Sequence, residues 1–144
     1  MAIRNGKARW DGNLKDGKGE LEIGTNFYKG KYSFVSRFEE GDGTNPEELI
    51  AAAHAACYSM ALSSSLDKSG HPSKSVTTTA DVHLNKTDAG MRITKIVLHA
   101  EADVDGISNE DFQRIAEETK TGCPISNALA SVNIELEAKI FTAA

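Results

Sequence analysis

The chain has 144 residues and a mass of 15.5 kDa, the size of one ordinary domain, so a multidomain architecture is not expected and 1–144 reads as a single domain. Hydrophobic residues at 40% and charged residues at 26% are globular averages, which excludes disorder and fibrous repeats. Basic residues number 16 against 21 acidic, net charge −5, with no Lys/Arg block, so no positive surface exists to track phosphates and nucleic acid is not an expected partner.

The first residues, Met1 to Lys7, lack the apolar core of a secretory signal. Short strands with polar turns follow: Ala8–Trp10, then Glu20–Ile23 and Lys31–Phe38, where aromatic and β-branched residues suit a half-buried sheet. Glu39–Thr44 reads as a loop. Asn45 then supplies a helix cap, Pro46 the first helical position, and Glu48, three residues after Asn45, the closing residue of a capping box. From Glu47 to about Leu66 there is no Gly or Pro, and alanines stand at 51, 52, 53, 55, 56 and 61. Apolar residues fall on every side between Leu49 and Leu62, which predicts a central helix buried all round and partly covered by a second subunit. The longest apolar run, Leu49–Cys57, is broken by His54 and falls short of the ~20 residues that cross a bilayer, so a soluble, cytoplasmic protein is expected.

After a turn at Gly70-His71-Pro72, Val76 to Leu84 alternates with the period of a strand, and Asn85–Gly90 reads as a turn. Ile96–Val104 is a second alternating run and Val132–Ile140 a third. Between them Ser108 and Asp111 open a helix whose Phe112, Ile115, Ala116 and Thr119 share one face. The order predicts the α+β class, with antiparallel sheets around a long buried helix and no βαβ repeat.

The two cysteines, Cys57 and Cys123, are too few for a disulfide framework. Taken alone, Cys57 in mid-helix is a small core residue. Cys123, in Gly122-Cys123-Pro124, stands just before a short helical stretch whose free N–H groups favour a thiolate, so local physics makes it the more acidic thiol.

Thr44-Asn45-Pro46-Glu47-Glu48-Leu49-Ile50, running into Ala55-Ala56-Cys57, resembles the helix signature of the OsmC/Ohr peroxidase family, and Gly122-Cys123-Pro124-Ile125-Ser126 resembles its second cysteine motif. Arg9-Trp10-Asp11-Gly12, Ser36-Arg37-Phe38-Glu39 and Thr79-Ala80-Asp81-Val82 extend the likeness over essentially the whole chain. It lies closer to the osmotically inducible branch than to the Ohr branch, whose arginine occupies an N-terminal segment without a clear counterpart here. The resemblance implies an OsmC-like fold and a thiol peroxidase that reduces organic hydroperoxides, and hydrogen peroxide less well, without metal, haem or flavin; the intertwined homodimer is expected on the geometry of the central helix instead. It implies that Cys57 is peroxidatic and Cys123 resolving, reversing the order drawn from helix ends; a fixed positive charge also favours a thiolate and overrides that effect. Cys57 would pass through a sulfenic acid to a Cys57–Cys123 disulfide, and a dithiol reductant, of lipoyl type in the family, would restore both thiols. Arg37 would stabilise the thiolate and polarise the peroxide, and Glu47 would orient Arg37. A pocket lined by residues such as Met60 and Leu62 would bury an alkyl tail. Without the likeness, Arg37 and Glu47 are a surface charge and a first-turn acid.

His54, three residues before Cys57, opens two other readings: a Cys–His pair, hence a thiol hydrolase or acyltransferase, and a zinc half-site completed by Cys123 and His71. A non-enzymatic dimeric thiol sensor is a third. Helix geometry adds one further expectation. Glu47 and Cys57 are ten positions apart, which on a helix is about 15 Å along the axis and about 80° around it. An arginine held by Glu47 hardly reaches Cys57 of the same chain. An antiparallel second copy of the helix would bring Glu47, with Arg37, of one chain to Cys57 and Cys123 of the other in a twofold dimer.

Overall fold

Turn residues between Asp11 and Lys18 fold the N-terminal chain back on itself and start a meander. In the computed structural model, which describes residues 1–25 and 27–141, strands β1 (Gly6–Asp11), β2 (Lys18–Ile23) and β3 (Tyr28–Tyr32) form an antiparallel sheet in that order. Trp10, Gly19 and Tyr32 face one another across it, and the Trp10 and Tyr32 rings meet at 5.4 Å. Gly19 makes that possible: a Cβ there would stand 2.5 Å from the Tyr32 ring.

The strand expected over Lys31–Phe38 stops at Tyr32, and Phe34–Phe38 turn into a short helix, α1. The cause is a reciprocal pair of serines. The Ser36 N–H donates to Ser33 Oγ at 3.1 Å and the Ser33 N–H to Ser36 Oγ at 2.8 Å, a local capping box that outcompetes a sheet ladder. Ser36 Oγ also donates to the Thr44 carbonyl at 2.8 Å, and Asn45 Nδ2 to the Ser36 carbonyl at 2.9 Å, which ties α1 to the start of helix α2 (Pro46–Lys68). Asn45 caps α2 as expected, accepting the Glu48 N–H at 2.8 Å. The Glu48 carboxylate does not close the box; it accepts instead from the Thr44 hydroxyl at 2.9 Å, a donor one residue outside the cap.

The chain gathers into two compact units, Met1–Leu49 and Ile50–Ala144. In the second, β4 (Ser75–Thr87), β5 (Gly90–Asp103) and β6 (Asn133–Phe141) form one sheet in that order. The β4–β5 hairpin is tighter than the sequence predicts: its ladder runs to Thr87 and Gly90, leaving only two residues for the turn, with Gly90 at φ 101. The expectation of purely antiparallel sheets is corrected at β6, which pairs with β5 in parallel from Lys95↔Asn133 to Asp103↔Phe141. Helix α3 (Asn109–Gly122) accounts for it: a helix of this length carries the chain about 21 Å back along the sheet, so β6 starts at the same end as β5. The missed unit is thus a β–α–β crossover.

Alternation decides the core. Ile96, Leu98, Ala100 and Ala102 of β5 are buried beneath Phe112, Ile115 and Ala116 of α3 and Tyr58, Leu62 and Leu66 of α2. Each large apolar side chain so buried stabilises by roughly 1.5–3 kcal/mol. The α3 face is the predicted one, including the buried Thr119.

Helix α2 is not buried all round within the chain. Its covered stripe is His54, Tyr58, Leu62 and Leu66, each four residues from the last, whereas Ala52, Ala53, Ala56 and Met60, the last 77% exposed, face away from that core. By length and composition this 23-residue helix could cross a membrane, a point the short Leu49–Cys57 run conceals. Its buried stripe is continuous with the core of the second unit.

Candidate active site

Two groups of chemically capable side chains emerge, one in each unit. In the second unit Cys123 ends α3 and caps α4 (Pro124–Ala128). Its own N–H donates to the Thr119 carbonyl at 3.1 Å, while its Sγ accepts the Ser126 N–H at 3.3 Å. Pro124 at the first helical position has no N–H to satisfy, so the cap serves Ser126. This is the helix-end placement the sequence predicts, although α4 is a single turn. Cys123 is 1% exposed.

Cys57, on α2, is half-buried and, like Cys123, a free thiol. Burial pushes its thiol up from the ordinary range, a hydrogen bond from the Ile125 backbone pulls it down, and the hydrogen bond and charge of Cys123 push it up again. The two cysteines, 66 positions apart in sequence, thus lie near enough for Cys123 to bear on the ionisation of Cys57.

His54 does not form the Cys57 pair that a hydrolase or acyltransferase needs. It is fully buried on the Tyr58–Leu62–Leu66 stripe, and its Nε2 lies 2.7 Å from Ser126 Oγ. Ser126 Oγ in turn accepts from the Cys123 thiol at 3.1 Å. Burial alone pushes the His54 ring down, towards its neutral form. The zinc reading fares no better: His71 meets the Ser69 hydroxyl at 3.4 Å, and among the described residues no group of three or more His, Cys, Asp or Glu could hold a metal ion. Ser126 is the residue that sequence reasoning missed. Its position three after a capping Cys123 was the available signal, since the third helical residue is the one a cap side chain meets.

In the first unit Arg37, in the last turn of α1, meets Glu47, in the first turn of α2. Arg37 Nη2 donates to Glu47 Oε1 at 2.8 Å, and Nε to Oε1 and Oε2 at 3.2 Å each. This is the fork the family resemblance implies, on a carboxylate that is only 9% exposed and favoured by the helix N-terminus. The guanidinium also lies 5.2 Å from the centre of the Phe38 ring. Beside it opens a hollow of about 200 Å³ lined by Trp10, Leu14, Tyr32, Phe34 and Phe38. Of the alkyl pocket expected around Met60 and Leu62, Leu62 is fully buried in the core, whereas Met60 borders a hollow of about 640 Å³ with Ser59, Ser63, Pro72 and Val76.

A family model described as OsmC-like protein matches residues 39–137. The chain is 46% identical over 138 residues to the peroxiredoxin OsmC of Escherichia coli, covering 94% of this chain and 96% of that one. Its fold matches that of an organic hydroperoxide resistance protein OsmC from Legionella pneumophila with a TM-score of 0.72 and 25% identity, over 99% of this chain and 100% of that one. An organic hydroperoxide resistance protein from Elizabethkingia anophelis shares the fold with a TM-score of 0.74 and 23% identity, over 99% of each chain.

Proposed function

The chain belongs to the OsmC-like family, and from that premise we propose that Cys57 and Cys123 are the reacting pair of a thiol-dependent hydroperoxide reductase. The protein is a thiol peroxidase, hence an oxidoreductase. The observation that supports the residue assignment is the proximity of two free thiols, one half-buried and one buried, near enough for Cys123 to push the Cys57 thiol up. The Cys57 thiolate attacks the distal oxygen of the peroxide, the O–O bond breaks, and the alkoxide leaves as an alcohol with a proton from solvent. Cys57 is then a sulfenic acid. The Cys123 sulfur attacks it, the S–S bond forms, the S–O bond breaks and water leaves, which protects Cys57 from irreversible over-oxidation. A dithiol, of lipoyl type in our reading, restores both thiols by exchange. Two free thiols suit a reducing cytoplasm.

Within its own chain Cys57 is held protonated by burial, so it requires a cation. We assign that part to Arg37, held in a fixed orientation by Glu47. Glu47 and Cys57 are separated by about 15 Å along α2, so the pair is supplied by a second copy of the chain. An antiparallel α2 from that copy would cover the exposed Ala52, Ala53, Ala56 and Met60, whose small side chains permit close approach. The functional unit is then an obligate homodimer with two sites. The hollow beside Arg37 suits the tail of an organic hydroperoxide, which hydrogen peroxide lacks.

Redox mass spectrometry tests the assignment. One equivalent of cumene hydroperoxide should convert the protein to a Cys57–Cys123 disulfide, and a dithiol should reverse it with turnover. Thiols that stay free while peroxide persists would overturn it. Refolding a mixture of inactive Cys57→Ser and Glu47→Ala chains tests the dimer: mixed dimers regain one competent site if Glu47 acts across the interface, and stay inactive if each site is built from one chain.

A further inference from the structure

Resolution of the sulfenic acid poses a proton problem that the two cysteines do not solve by themselves. Cys123 must lose its thiol proton as it attacks, yet it is 1% exposed, and water has little access to it. The hydrogen bonds around it supply a route. The Cys123 thiol donates to Ser126 Oγ at 3.1 Å, and Ser126 Oγ lies 2.7 Å from His54 Nε2. A serine hydroxyl carries one proton. A hydroxyl that accepts from the thiol can give that proton to Nε2 when the ring proton is on Nδ1. His54 Nδ1 is buried and has no hydrogen-bond partner among the described residues. An orphaned buried polar atom is costly and calls for an explanation.

We infer that Ser126 and His54 form a proton relay for Cys123. This rests on Cys57 and Cys123 being the reacting pair. As the Cys123 sulfur bonds to Cys57, its proton passes to Ser126 Oγ and the Ser126 proton passes to His54 Nε2. The hydroxide leaving Cys57, which is half-exposed, takes a proton from solvent and departs as water. When the dithiol reductant later opens the disulfide, Cys123 leaves as a thiolate and recovers its proton from Nε2 through Ser126. The cycle then closes with no net proton left on the ring. The unpartnered Nδ1 fits this cycle, because no acceptor there competes with Ser126 for the proton that returns to Cys123. Ser126 touches the reacting sulfur and is catalytic; His54 acts through it and is a positioning residue. Burial keeps the resting ring neutral, so its lone pair is free when the thiol needs it.

The test separates the two chemical steps in a single turnover with one equivalent of cumene hydroperoxide. Cys57 sulfenic acid is trapped with dimedone, and the Cys57–Cys123 disulfide is followed by mass spectrometry. Ser126→Ala and His54→Gln should slow disulfide closure by about 100-fold, the weight of one positioned proton acceptor, so that trapped sulfenic acid accumulates while peroxide is still consumed. Ser126→Thr, which keeps the hydroxyl, should restore closure. Closure in the wild-type protein should be slower in D2O, a readout that needs no variant to fold. Closure at the wild-type rate in both variants, an equal loss of both steps, or no solvent isotope effect on wild-type closure would each overturn the relay. Failure of the wild-type protein to form the Cys57–Cys123 disulfide at all would instead overturn the underlying assignment of the thiols, and the relay with it.

Discussion

The Arg37–Glu47 fork and the Cys57–Cys123–Ser126–His54 cluster are opposite solutions to placing polar chemistry in a small protein. The fork is ionic, closes over ten positions of sequence, and leaves the arginine side chain 37% exposed, so water still solvates part of its charge. The cluster is neutral, buried, and assembled from helices far apart in the chain, with His54 and Ser126 separated by 72 positions. Desolvation explains the division. A guanidinium tolerates partial burial when a carboxylate matches it, whereas thiols in a dry site stay protonated, as burial does to Cys57. Each region therefore holds what the other lacks: fixed positive charge in one, nucleophilic sulfur in the other.

The sharpest way to break this contrast is to remove the sulfurs one at a time. Cys57→Ser should reduce peroxide consumption to background, a loss on the order of 10³-fold or more. Cys123→Ser should complete one turnover and then accumulate sulfenic or sulfinic Cys57, seen by mass spectrometry. The reverse pattern would exchange the two roles. Next in size is the charge. Arg37→Ala should cost roughly 10²–10³-fold in the rate of peroxide consumption, the weight of one electrostatic donor, and should move the pH at which iodoacetamide modifies Cys57 upwards. Arg37→Lys should rescue little, because an ammonium does not reproduce the fork on Glu47. An unchanged alkylation profile in the Arg37 variant would place the activating cation elsewhere.

Stability should divide the other way. Leu62→Ala, in the dry core of the second unit, should cost about 2–5 kcal/mol in urea unfolding. Glu47→Gln, in the half-wet fork, should cost no more than about 1 kcal/mol. Equal losses would mean that the fork is a structural element in its own right.

The smallest expected effect concerns pH. Burial lowers the His54 pKa below the 6.5 of a free ring. As pH falls below about 6.5 the unfolded ring binds a proton that the folded ring refuses, so folded stability declines towards the lowered pKa; above that range His54 contributes no slope. His54→Gln should flatten the melting temperature between pH 7 and 5 relative to wild type, measured by scanning calorimetry, and an unaltered slope would assign the acid sensitivity to other groups.

What was legible in the amino-acid sequence was what neighbouring residues decide between themselves. Asn45 and Pro46 start α2, Ser108 starts α3, Phe112, Ile115, Ala116 and Thr119 are its buried face, and Cys123 caps α4, each within a turn or two of chain. The Arg37–Glu47 fork and the roles proposed for the two cysteines came from the family likeness, because a strand-end arginine and a first-turn acid carry no signal of their own. Only tertiary structure decided the rest. Ser36 Oγ on the Thr44 carbonyl and Asn45 Nδ2 on the Ser36 carbonyl, bonds that span eight and nine positions, hold half of a predicted strand as a helix. The return of the chain along α3 made β6 parallel, and residue alternation reads the same in either direction. His54 faces Ser126 rather than Cys57 because side chains four apart share a stripe that the core claims, and the partner on the far side of that stripe is set by how α4 packs, which no local pattern encodes.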